Sequence, residues 1–143
     1  MILPDVNVLI GAFRSDSPHH FLARPWLNGI ILGENRFGIS RLVLAAVVRI
    51  TTDRRAFPNP SSLEDAIGFG QDLVDQPHCH SVEPGERHWD IFKRLTVDTN
   101  TTGPRITDAW YAALAIEHGC EWITFDRDFA RFPGLKFSAP PAV

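Results

Sequence analysis

The chain has 143 residues, of which 44% are hydrophobic and 22% charged, with a formal net charge of -3. That length allows one domain with its own hydrophobic core, and the composition is that of a globular fold, which excludes disordered and fibrous classes. A net negative chain is not held to nucleic acid by a broad basic surface, because such binding draws on many Lys and Arg contacts to phosphates. Any nucleic-acid chemistry must then be local, through carboxylates that meet phosphates across a divalent cation.

Ile2-Leu3 reads as a short buried strand that turns at Asp5 into an apolar helix, which puts Asp5 at the strand's carboxyl end. Ser17-Pro18 supplies a cap and first-turn proline for a second helix, His19 to Leu32, with Phe21, Leu22, Trp26, Leu27 and Ile30 on one face. Phe37-Gly38-Ile39 is a second strand, and Ser40 caps a run from Leu42 to Ile50 apolar enough to predict a buried helix. After the break at Asp53 to Pro60, Ser61-Ser62-Leu63-Glu64 matches a capping box for a fourth helix reaching about Val74. Cys79 to Val82 is a third strand, Glu86 to Leu95 a helix built on Trp89, Phe92 and Leu95, and Thr99 to Pro104 a polar loop.

Thr107 is expected to cap a strong helix from Asp108 to His118, ended by Gly119. Trp122 to Phe125 is a buried strand and Lys136-Phe137 a last edge strand. Strands alternating with helices predict an α/β fold, one domain over 1–143 with a central parallel sheet flanked by helices.

Cys79 and Cys120 are far apart and lie in no Cys-x-x-Cys pair, so two buried free thiols are expected. The first residues lack a signal-peptide pattern, and no apolar run approaches the ~20 residues of a membrane span, which predicts a cytoplasmic protein. His19, His20, His78, His80, His88 and His118 show no metal spacing and are taken as surface or core residues; Trp26, Trp89, Trp110 and Trp122 are taken as core.

In a parallel sheet the site lies where the strands' carboxyl ends meet helix N-termini, and three acids fall there: Asp5 after the first strand, Asp126 after the Trp122 strand and Asp108 at the start of its helix. Brought together, such carboxylates repel unless a cation neutralises them, and oxygen-only ligands favour magnesium or manganese. One or two such ions activate a water and stabilise a leaving oxygen, the chemistry of many nucleases, and Asp128 is near enough in sequence to assist Asp126. Each acid also has a plain structural reading, as a dipole-complementing residue of a first turn, a helix cap or a solvated turn.

Taken together, Leu3-Pro4-Asp5-Val6-Asn7-Val8-Leu9-Ile10, Ser17-Pro18-His19-His20 with Trp26-Leu27, Thr107-Asp108-Ala109 with Ala112-Ala113-Leu114-Ala115, and Thr124-Phe125-Asp126-Arg127-Asp128-Phe129 resemble the successive motifs of the PIN-domain VapC toxins, above all a branch abundant in mycobacteria. The resemblance implies the toxin of a type II VapBC system: a magnesium-dependent endoribonuclease that cuts structured RNA of the tRNA or rRNA class, held inactive by a VapB-type antitoxin, with a homodimer expected. It makes Asp5 and Asp108 metal ligands and places Asp126, with Asp128 beside it, in the acidic pocket.

One departure concerns the helix after the second strand, where many members have a glutamate and this chain has Leu44-Ala45-Ala46-Val47. Asp53 lies two turns beyond Ala46, about 10 Å along a helix, too far to substitute. Two alternatives stay open on the residues alone. A phosphoaspartyl protein of the haloacid dehalogenase or receiver type would need Lys93 or Lys136 beside the acids, and a non-catalytic module would use the acidic pocket to dock a partner's arginine.

Overall fold

A computed structural model of the chain describes all 143 residues. Five parallel strands, β1 (Ile2–Pro4), β2 (Phe37–Ile39), β3 (Cys79–Ser81), β4 (Glu121–Ile123) and β5 (Phe137–Ser138), form one sheet in the order β3-β2-β1-β4-β5. Six helices connect them: α1 (Val6–Phe13), α2 (His20–Leu32), α3 (Arg41–Thr51), α4 (Leu63–Val74), α5 (His88–Thr99) and α6 (Ile106–His118). The connections from β1 to β2 to β3 step outward on one side of β1, and the next returns across it to β4. With right-handed crossovers that reversal puts α5 and α6 on the face opposite α1 to α4. It also makes the β1/β4 junction the switch point, where a crevice opens at the strand ends.

The strands are short, buried and in tight register. Leu3 pairs with Trp122, both fully buried, and the Asp5 N–H carries the ladder past β1 to the Ile123 carbonyl at 2.8 Å. Pro4 is tolerated in this central strand because the pairing of β1 with β2 is confined to Ile2 and Phe37. Gly38 is required in β2: a Cβ there would lie 2.6 Å from Val82 Cγ2. Gly119 ends α6 at φ 64°, a left-handed cap that favours glycine, as expected.

Several elements differ from the sequence expectation, each for a local reason. Helix α3 is capped by Ser40 as expected, but it is amphipathic rather than buried. Val43, Val47 and Thr51 face the core, while Leu42 is 48% exposed. Ser17 gives α2 no side-chain cap, since the cap residue is His19, and Pro25 lies inside that helix. The α4 cap pair is Ser62 with the Asp65 N–H, one residue beyond Ser61 and Glu64. Thr107 caps nothing, because the 3-10 turn of Gly103–Arg105 runs straight into α6 and its Gly103 carbonyl takes the Ile106 N–H. Strand β4 ends at Ile123, before Thr124 and Phe125, and β5 begins at Phe137. On α5 the buried stripe is His88, Ile91 and Leu95, which leaves Trp89 56% exposed rather than in the core. Cys120 is buried and Cys79 half-buried; both are free.

Candidate active site

Asp5 is fixed by its own chain. It is the N-cap of α1, with extended backbone, and its Oδ1 accepts the Val6 N–H at 2.6 Å. Its Oδ2 accepts the Thr124 hydroxyl at 2.6 Å. The residue is 6% exposed. Burial pushes its carboxyl from 3.8 up to about 6; the Thr124 and Val6 bonds work against that rise, and the charges of Asp108 and Asp126 add to it.

Thr124, buried just past the end of β4, joins the site together. Its hydroxyl donates to Asp5 and accepts from the Asn7 side-chain amide at 3.2 Å and from the Asp126 N–H at 3.0 Å. Asn7 in turn accepts the Phe125 N–H at 3.2 Å. One hydroxyl thus uses its single proton and both lone pairs to tie the start of α1 to the loop after β4. Thr124→Val should cost about 2–3 kcal/mol in urea unfolding, since it leaves three buried or half-buried polar groups without a partner, and Thr124→Ser should recover most of it. Wild-type stability in Thr124→Val would contradict this role.

Asp108 is the third residue of α6 and half-buried. Burial raises its carboxyl above the usual range, as does the charge of Asp126, while Arg105 and Arg131 pull it down and Asp128 raises it. Asp126 caps the 3-10 turn of Arg127–Arg131, its Oδ1 accepting the Asp128 N–H at 2.9 Å. Asp5, Asp108 and Asp126 line one cleft of about 300 Å³, with Asn7, Arg49 and Tyr111. From α3 come Ala46, Arg49 and Ile50, so that helix offers the cleft a cation and no acid. Asp53 lies outside, bound to Arg55.

Asp128 also lies outside the cleft wall. It is exposed, and its Oδ2 meets Arg105 Nη2 at 3.0 Å. Neither Lys93 nor Lys136 reaches the cleft, so the phosphoaspartyl reading lacks its lysine. A wider cleft of about 600 Å³ between α3 and α4 is lined by Leu44, Val48, Ile67 and Val74 and holds no carboxylate. The donor set of the acidic cleft is all oxygen. No three His, Cys, Asp or Glu side chains lie close enough to form a ready-made metal cage, so the three carboxylates line the cleft without meeting at one point; a hard divalent ion that keeps much of its water would reach some of them through that water.

The PIN-domain model matches residues 2–135. The chain belongs to the PIN-domain family. It is 40% identical to ribonuclease VapC25 of Mycobacterium tuberculosis over 141 residues, 99% of each chain, and 37% identical to ribonuclease VapC37 of the same organism over 143 residues. Among solved structures it superposes on VapBC2 from Rickettsia felis bound to a promoter DNA fragment, with TM-score 0.70 and 16% identity, covering 97% of this chain and 98% of that one. It superposes too on Mycobacterium tuberculosis VapC20, a sarcin-ricin loop cleaving toxin, with TM-score 0.66 and 14% identity over 94% and 98% of the two chains. These structures share the PIN fold, and PIN-domain nucleases generally use divalent metal ions. No helix of this PIN-domain chain is long and apolar enough to cross a membrane.

Residues missed from sequence were Thr124, which holds Asp5 and Asp126, Asn7, which holds Thr124, and Arg49 and Tyr111, which line the cleft. The available signals were the polar threonine just past an apolar strand and the two-residue spacings of Asp5 to Asn7 and Thr124 to Asp126.

Proposed function

We propose that the chain is the toxin of a type II VapBC pair, a cytoplasmic endoribonuclease that hydrolyses structured RNA of the tRNA or rRNA class with magnesium or manganese held by Asp5, Asp108 and Asp126. The observation that carries this reading is the lining of one oxygen-donor cleft by three carboxylates at the β1/β4 switch point of a PIN domain. The cation, when bound, neutralises the phosphodiester and acidifies the attacking water. Asp5 is held ready by its cap and by Thr124, Asp108 is presented by the first turn of α6, and Asp126 is oriented by the turn it caps. Asp128, paired with Arg105, shapes the rim.

A VapB-type antitoxin is the proposed partner, as in the VapBC complexes that share the fold. The apolar cleft between α3 and α4 adjoins the acidic one through Arg49, which lines both, and exposes Ile67; an apolar segment of such a partner would cover it. A homodimer is the proposed assembly. The test is incubation of the purified chain with total RNA in magnesium, manganese or chelator, followed by mapping of cut ends. Discrete cation-dependent cuts are expected. Intact RNA under every condition would leave a non-catalytic docking module in place of the enzyme.

A further inference from the structure

We propose that Arg49 is a phosphate-binding residue of this site, holding a non-bridging oxygen of the scissile phosphodiester. The inference rests on the ribonuclease reading. A cleft lined by three carboxylates repels the phosphate it must admit, and among its lining residues Arg49 alone is cationic. Of the other guanidinium groups near the acids, Arg105 is held by Asp128 at 3.0 Å, and Arg131, whose charge reaches Asp108, lies outside the cleft lining against the Phe132 ring. The Arg49 side chain lines the cleft itself and enters no ion pair, although carboxylates share that cleft.

Its placement suits the task. Ala46, Arg49 and Ile50 stand at i, i+3 and i+4 on α3 and share one face of a regular helix, so the guanidinium is carried by a rigid element against the cleft. The small Ala46 side chain one turn earlier leaves room beside it. A guanidinium offers a planar fork of donors that matches two phosphate oxygens, which a lysine ammonium does not. The competing role is structural: Arg49 lies in the last turn of α3, where a cation complements the helix dipole.

The test uses the full chain and an RNA oligonucleotide carrying a mapped cut. Arg49→Ala, Arg49→Lys and Lys93→Ala are compared for kcat and KM, melting temperature and, in the inactive Asp5→Asn background, RNA affinity between 50 and 200 mM salt. Lys93 is exposed and remote, and its loss controls for net charge. We expect kcat/KM to fall about 10²-fold in Arg49→Ala, partial recovery in Arg49→Lys, and wild-type behaviour in Lys93→Ala. The slope of log affinity against log salt should shrink by about 0.7–0.9, one phosphate contact, in Arg49→Ala only. Arg49→Ala with wild-type kcat/KM and slope, whether or not its melting temperature drops, overturns the inference; if the Asp5→Asn chain binds no RNA, kcat/KM alone decides. A wild-type chain that cleaves no RNA sinks the ribonuclease reading and this inference with it, whereas a cleaving wild type matched by Arg49→Ala sinks the arginine alone.

Discussion

Asp5→Asn should abolish cleavage, a loss of about three orders of magnitude or more, while making the cation-free protein slightly more stable at pH 8 and less stable near pH 4. The loss of activity follows from removing one of the carboxylates proposed to hold the cation, whose contribution to the transition state is several kcal/mol. The stability change follows from the carboxyl's titration. In the fold it ionises at about 6, against 3.8 ordinarily. Between those values the folded chain holds a proton that the unfolded chain has released, so the stabilising difference is full below pH 3.8 and is lost as pH rises through about 6. Two units correspond to roughly 3 kcal/mol at most.

Asparagine escapes that cost but meets another. The Thr124 lone pairs already accept from Asn7 and Asp126, so a side-chain amide turned toward them finds no acceptor, at about 1–2 kcal/mol. The net gain is about 1 kcal/mol at high pH and turns to a loss in acid. Urea unfolding of both proteins in chelator from pH 4 to pH 8 checks it, and a difference that does not change with pH would contradict the raised carboxyl of Asp5.

The remaining acids should separate by position. Asp108→Asn is expected to match Asp5→Asn in lost cleavage with little change in melting temperature, because relief from Asp126 offsets the lost carboxylate near the N-terminus of α6. Asp126→Asn should be strongly impaired, since it shares the cleft, yet well folded, because asparagine also accepts the Asp128 N–H. Asp128→Asn should lose less than about tenfold: its carboxylate is exposed, outside the cleft and paired with Arg105, and exposed pairs are worth at most about 1 kcal/mol. Values of kcat/KM at saturating magnesium measure the ranking, and a loss at Asp128 equal to that at Asp5 would contradict it.

The strand and helix order was legible in the sequence because each apolar run is short and bounded by strong breakers, and Asp5, Asp108 and Asp126 were legible because all three follow or begin such runs. The face of α3 was not. Its run from Leu42 to Val48 is apolar on every side, and the packing of Val43, Val47 and Thr51 shows which side is covered. The start of α6 was misplaced because Thr107 has a cap residue's chemistry while the turn at Gly103 already provides the acceptor. Thr124 was hidden for a different reason: its role depends on Asp5, 119 residues away, and the local spacings on either side do not by themselves join the two segments.

The most direct test of the central claim, that Asp5, Asp108 and Asp126 hold the cation that drives RNA cleavage, is the cleavage rate against magnesium concentration for the wild type and Asp108→Asn. The account predicts a saturable rise for the wild type, abolished by chelator, and no measurable cleavage by Asp108→Asn at any concentration. Cleavage by Asp108→Asn at the wild-type rate in low magnesium would contradict it.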